Sequence, residues 1–385
     1  MLATSSLCQK TKVSMIDTPA TPALPSIEHV HLPAYWQDIP AVLVVTAIVV
    51  GLLLAVGLVW LLQRLVVRKG PEVLRVLVSL GRSIKTALGG NVYVGRVARR
   101  YPAGSRFLVR RVDRSRFYGL ALTLLVLAFA YVLALFAGII EDVVTADSIV
   151  ALDHAMAQLI AAYREPWVVA VFLWITSLGE PRVVGAVLVV ACLVLWLTKR
   201  KYAIAGLLAS SFGAGVFVTL GKLTFQRSRP VAAVLLEPSF SFPSGHATIA
   251  VAFYGFLGYV LIRSTTQWKQ RVNLLFATAT LVLAIGLSRI GLGVHYLSDV
   301  WAGYLLGVLW LIVGITLSEW LSASGRIVWD GATTPCRRAA VFGLILAAIV
   351  GFIAYASTRS LPPSHGAGDD VAGFFAPAAH NQART

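Results

Sequence analysis

Eight stretches of this sequence, approximately residues 39–62, 118–140, 182–198, 202–221, 244–263, 273–290, 298–318 and 339–357, are apolar over a length that can cross a bilayer. A helical crossing takes about 20 such residues. In lipid each run has to satisfy its own backbone hydrogen bonds, and none alternates with period two, so helices are expected and strands are not. Composition agrees. The 385 residues are 58% hydrophobic and 13% charged, where a soluble chain runs nearer half and a quarter. An ordinary soluble enzyme and a disordered chain are thereby excluded. Cys8, Cys192 and Cys336 lie far apart without metal-ligand spacing, so they are expected to be isolated thiols.

Charge fixes the expected sidedness. Between Arg64 and Arg116 lie a dozen basic residues, among them Arg68, Lys69, Arg75, Arg82, Arg99 and Arg100, against Glu72 and Asp113. Such a connector stays cytoplasmic. Alternation from there puts Lys199-Arg200-Lys201, Arg263 to Arg271 and Arg326 to Arg338 inside as well. It does so only if the short apolar stretch 166–178 is re-entrant or interfacial and not a span. The net charge of +16 is therefore topological, and no nucleic-acid partner is expected. Within the connector Val73, Leu77, Leu80, Ile84 and Leu88 recur at helical spacing, which fits either a cationic helix on anionic headgroups or a topogenic loop. The first 38 residues are polar and proline-rich, with no secretory signal peptide expected. They precede an extra span (39–62), the connector (63–117), a six-span core (118–318), a loop with a second extra span (319–357) and a tail (358–385).

In so apolar a chain, polar clusters at span ends are the informative places. After the 202–221 run come Lys222 and, seven residues on, Arg229-Pro230. Pro243-Ser244-Gly245-His246 opens the next run. Ser288-Arg289, His295 and Asp299 stand between the last two core runs. An even number of spans separates the third cluster from the other two, so all emerge on one face, extracytoplasmic by the charge rule. Singly each has a plain explanation: snorkelling anchors, helix-ending prolines, an incidental i, i+4 pair. Together they meet what phosphoryl chemistry needs. Lys222, Arg229 and Arg289 supply fixed cations for the oxygens. Ser244 and Gly245 open a helix whose N–H groups suit an oxyanion. Two imidazoles can then act as nucleophile and acid. Asp299, one turn after His295, can hold one ring nitrogen as N–H and leave the other as a lone pair. His246 has no such carboxylate and is the better proton donor. No Asp/Glu cluster, Cys/His pair or HExxH string is present, so neither metal nor other cofactor is expected.

At these residues the chain closely resembles the type 2 phosphatidic acid phosphatase superfamily, which also holds glucose-6-phosphatases and vanadium-dependent haloperoxidases. Its motifs Lys-x6-Arg-Pro, Pro-Ser-Gly-His and Ser-Arg-x5-His-x3-Asp appear here as KLTFQRSRP, PSGH and SRIGLGVHYLSD. Thr176-Ser177-Leu178-Gly179 resembles the short segment such proteins carry ahead of their second core span. The resemblance covers residues 118–318 and implies an all-α membrane bundle. It implies His295 as a nucleophile forming phosphohistidine, Asp299 as its partner, and His246 as general acid. Lys222, Arg229, Ser244, Gly245 and Arg289 would hold the phosphate.

The apolar loop VAAVLL (231–236) with Phe240 and Phe242 can flank an acyl or isoprenoid tail or pack on neighbouring helices. The expected function is therefore an integral membrane lipid phosphate phosphatase acting in the outer leaflet of a plasma membrane of the bacterial inner-membrane type. Candidate substrates are phosphatidic acid, phosphatidylglycerol phosphate and undecaprenyl pyrophosphate. A phosphotransferase of the same architecture and a non-catalytic transporter or scaffold are the alternatives.

Overall fold

The computed structural model describes residues 41–113, 117–146, 148–235, 237–326 and 335–358, and among these every regular element is helical. The expected N-terminal tail (1–38) and nearly all of the C-terminal one lie outside the described residues. Helix α1 (Ala41–Gly90) is followed by α2 (Val92–Arg100), α3 (Pro102–Val112), α4 (Leu122–Val144), α5 (Ser148–Ala162), α6 (Pro166–Ser177) and α7 (Pro181–Leu197). Then come α8 (Lys201–Phe225), α9 (Gly245–Arg263), α10 (Trp268–Gly291), α11 (Leu297–Leu321) and α12 (Pro335–Ser357). A π-helical turn, Ala250–Tyr254, interrupts α9 one turn after the Pro-Ser-Gly-His motif, a position typical of functional helices.

Six helical segments among the described residues are long and apolar enough to cross a membrane: Phe117–Val144, Tyr202–Phe225, Gly245–Arg263, Trp268–Gly291, Leu297–Ser324 and Ala339–Ser357. Helices α6 and α7, bent by 41° at their junction, make a seventh if they form one broken span. The protein is an all-helical integral membrane bundle. Prolines at the first position of both α6 and α7 explain the bend, because each tolerates a helix start and prevents continuation from the preceding turn. The expected span 39–62 falls on the start of α1, where many side chains lie outside the described set. Instead of ending near residue 62, α1 continues unbroken to Gly90, a length of about 75 Å for 50 residues. On its second half Val73, Leu77, Leu80, Ile84 and Leu88 are all exposed.

The centre of the bundle is α11, which packs against α8, α4 and α9. Small residues make the α9–α11 approach possible. A Cβ on Gly303 would lie 2.7 Å from the Ser244 carbonyl oxygen, and one on Gly307 would lie 2.6 Å from that of Thr248. This Gly-x3-Gly pair lets the two backbones touch, as is usual where lipid supplies no hydrophobic drive between helices. Two turns further along α11, Gly314 meets Gly206 of α8 equally closely, its Cβ position 2.6 Å from the Gly206 carbonyl. Close backbones then permit direct bonds between the polar motifs. The Ser244 N–H donates to the Asp299 carbonyl at 3.0 Å, and the Ser241 N–H donates to that of Arg227 at 2.9 Å.

Because the atom facing Gly307 is backbone, it cannot swing away. Gly307→Ala should lower stability by about 1–3 kcal/mol, the usual cost of overpacking, and reduce the Tm in detergent. Gly343→Ala on α12, where nothing lies within 4 Å of the new methyl, should leave Tm unchanged or slightly raised. Equal behaviour of the two variants would contradict this packing.

Candidate active site

The residues singled out from sequence converge on one end of the α8–α11 bundle. Lys222, in the last turn of α8, donates from Nζ to the Phe240 carbonyl at 2.6 Å and to Ser239 Oγ at 3.0 Å. Arg229 lies in the following loop. Its Nε donates to the Ser239 carbonyl (2.7 Å) and its Nη1 to that of Val294 (2.6 Å), while Nη2 pairs with Glu237 at 2.7 Å. Arg289, in the last turn of α10, is 1% exposed. It donates to Thr176 Oγ1 at 2.8 Å and forms a close ion pair with Glu237. The Glu237 carboxylate thus sits across both guanidiniums.

The histidines and Lys222 line a single cavity of about 410 Å³, together with Glu237, Ser239 and Gly245. Its remaining wall is mostly apolar, with Val184 and Leu188 from α7, Phe212 and Val218 from α8 and Ile249 from α9. The His246 ring packs against Gly179, where a Cβ would stand 2.7 Å from its Cδ2. The segment Thr176–Gly179 therefore serves the site at two points, by binding Arg289 and by leaving room for His246.

His295 precedes α11 and is buried. Arg229 Nη1 lies 3.3 Å from His295 Nε2. A guanidinium can only donate, so Nε2 is the lone-pair nitrogen and Nδ1 carries the proton. Nδ1 faces Asp299 Oδ2 at 3.5 Å, longer than the direct hydrogen bond expected from the i, i+4 spacing. Burial, with Arg289, Arg229 and Lys222 nearby, holds the imidazole well below its usual pKa range, so the ring is neutral. Burial pushes the Glu237 carboxyl up, but Arg289 and Arg229 outweigh it and hold the group below the ordinary carboxylate value. Burial also lowers Arg229 from the usual guanidinium range, against the pull of Glu237.

One expectation needs correction. The N–H of Ser244 is committed to the Asp299 carbonyl and is not available to an oxyanion; its buried hydroxyl, without a hydrogen-bond partner among the described residues, is the polar atom it offers. Of the two uses open to the apolar loop, packing on neighbouring helices holds for residues 233–235 and Phe242. Phe242 is fully buried against Phe225, and Ala233, Val234 and Leu235 pack on Val169, Leu173, Leu292 and Val294. Val231, Ala232 and Phe240 are exposed. The larger apolar surface next to the histidines comes from α7 and α8.

Sequence reasoning missed Glu237, Arg227 and Asp153. Arg227 Nη1 donates to Asp299 Oδ1 at 2.6 Å, and Nη2 pairs with Asp153 Oδ2 at 2.8 Å. Burial opposes its charge, but Asp299 and Asp153 more than compensate and raise its pKa. The available signals were weak: a second arginine two positions before Arg229, and the single acid of helix α5.

Residues 202–323 match the PAP2 superfamily. The chain is 29% identical over 181 residues to phosphatidylglycerophosphatase B of Bacillus subtilis (strain 168), covering 46% of this chain and 88% of the relative. It is 37% identical over 114 residues to decaprenylphosphoryl-5-phosphoribose phosphatase of Mycobacterium tuberculosis, covering 28% of this chain and 56% of the relative. The crystal structure of a PAP2-type phosphatidylglycerolphosphate phosphatase from Bacillus subtilis superposes with a TM-score of 0.44 at 26% identity, over 51% of this chain and 96% of that one.

An oxyanion that uses both guanidinium forks competes with the Glu237 carboxylate. Glu237→Gln should therefore tighten inorganic phosphate binding several-fold, measured by calorimetry on the detergent-solubilised protein. Weaker or unchanged binding would mean that the carboxylate and the anion do not share these arginines.

Proposed function

We propose that the chain hydrolyses a phosphate monoester or pyrophosphate carried by a membrane lipid, through a phosphohistidine on His295 and without metal. The observation that carries this reading is the Arg229–His295 contact, which leaves Nε2 as a neutral lone pair beside a cavity walled by Val184, Leu188 and Phe212. A lone pair among cations suits attack on phosphorus, and apolar walls suit the tail of an amphipathic ester.

In the proposed cycle the phosphoryl oxygens replace the present partners of Lys222, Arg229 and Arg289, with the Ser244 hydroxyl and the first turn of α9 at Gly245 completing the cradle. Nε2 of His295 forms the bond to phosphorus as the bond to the leaving oxygen breaks, and His246, protonated once the phosphate dianion is bound, gives that oxygen its proton. Asp299 stabilises the positive charge that the ring then carries. In the second half His246 takes a proton from water, whose oxygen attacks phosphorus and frees His295. The growing charge on the phosphoryl oxygens is met by fixed cations in surroundings of low dielectric, where each counts for more than in water.

The substrate class rests on the cavity and on the relatives, whose names specify a phospholipid phosphate and a polyprenyl-linked phosphosugar. Phosphatidic acid, phosphatidylglycerol phosphate and undecaprenyl pyrophosphate fit that class. The basic connector argues for eight spans with the site on the outer face of a bacterial inner membrane, and for anionic headgroups as partners of the α1 stripe.

Two experiments test this. Phosphate release from a panel of these lipids in the presence of EDTA should be seen with the wild-type chain and fall at least 1,000-fold in His295→Ala; strict dependence on a divalent ion, or an active His295→Ala, would overturn the mechanism. His246→Ala should be most damaging for alkyl leaving groups and least for a nitrophenolate, which departs without protonation. A uniform loss across leaving groups would remove His246 from the role of acid.

A further inference from the structure

Behind His295, on the side away from Lys222 and the two phosphate-facing arginines, lies a second set of buried charges. Asp153 of α5, with a fully buried side chain, pairs with Arg227, which pairs in turn with Asp299. Asp153 also accepts from the Ser298 N–H at 3.0 Å through Oδ1 and closely from the Ser298 hydroxyl through Oδ2. Arg227 Nη1 donates to Ser298 Oγ at 2.7 Å, and its guanidinium carbon stands 4.4 Å from the centre of the Tyr296 ring. Asp299 completes the set by accepting from the Tyr296 N–H at 2.9 Å.

Two carboxylates share one guanidinium, so the cluster carries one net negative charge. Asp153 grips Arg227 on one fork and the first turn of α11 on the other. If it were absent, Arg227 would turn wholly to Asp299, forming a neutral pair whose carboxylate is drawn away from the imidazole. A buried carboxylate with no excess charge is a poor partner for a ring that becomes cationic.

We propose that Asp153 is a positioning residue for the reaction: acting through Arg227 and Ser298, it holds Asp299 toward His295 Nδ1 and keeps a net negative charge beside the ring. This rests on the phosphohistidine reading above. Asp153 touches no reacting atom, and it lies on α5, outside the stretch that matches the superfamily. Its effect therefore has to be visible in the chemical step and absent from substrate binding.

The test is a double-mutant cycle on the full chain in detergent micelles with a lipid phosphate. Asp153→Asn should lower kcat roughly 10- to 100-fold, as loss of an outer-shell partner does, with KM within about twofold. In an Asp299→Asn background the same change should cost nothing further, because its route to His295 is already cut. Histidine-selective ¹⁵N NMR supplies a readout that needs no turnover: the His295 signals should indicate Nδ1–H in the wild type and a mixed tautomer in Asp153→Asn. Additive losses in the cycle, a change confined to KM or thermal stability, or an unmoved His295 tautomer would overturn the proposal. A wild-type chain that releases no phosphate, with the His295 tautomer still responding to Asp153→Asn, would sink the hydrolytic reading and leave the positioning network standing.

Discussion

A guanidinium in a membrane-embedded bundle is costly unless anions, hydroxyls or carbonyls take most of its N–H groups, and that condition shapes this site. Arg289 is 1% exposed and is held by Thr176 and Glu237. Arg229 is held by the backbone at Ser239, Phe240 and Val294 and by Glu237. Removing such charges from water costs several kcal/mol each before pairing. With Lys222 there are three cations and one carboxylate, so a local excess of two positive charges lines the cavity while His295 is neutral. A phosphate monoester dianion carries nearly the opposite charge. The electrostatic deficit of the site thus has the magnitude of its proposed ligand.

The two charge clusters stand on opposite sides of one imidazole. Lys222, Arg229 and Arg289 lie toward Nε2, and the Asp153–Arg227–Asp299 cluster with its net negative charge lies toward Nδ1. A proton is favoured on the nitrogen facing negative charge and a lone pair on the nitrogen facing positive charge, so both clusters select the same tautomer. This agreement matters because Nδ1 and Asp299 are 3.5 Å apart and no short bond between them fixes the ring. The field of several groups does the work that a single contact would do in a tighter dyad.

What the sequence revealed follows from how each interaction is encoded. Lys222, Arg229, His246, Arg289, His295 and Asp299 were legible because the motif spacings are local and because polar residues are conspicuous in apolar spans. The helices were legible by length, except where length is ambiguous: α6 and α7 are short pieces bent at Pro181, and α1 hides the end of its apolar part inside one continuous helix. Asp153 escaped because its partners are distant in sequence, Ser298 lying 145 positions away, and Glu237 because it joins the nearby Arg229 to the remote Arg289. No local pattern records such a pairing. A lone acid within an apolar helix signals that a buried partner exists, but not which one it is.

The glycines of α11 connect this chemistry to the membrane setting. Ser244 and Asp299 bond through their backbones because Gly303 and Gly307 leave no side chain between the helices. Val184 and Leu188 of α7 and Phe212 and Val218 of α8 line the space next to His246. A freely soluble phosphate ester would have to place its hydroxyls against those side chains without hydrogen-bond partners, at a cost of about 1–3 kcal/mol for each group left unpaired. A lipid places methylenes there and gains. The boundary between the cationic end and the apolar walls is therefore itself a selection device, favouring ligands whose charge and hydrocarbon are divided at the same depth.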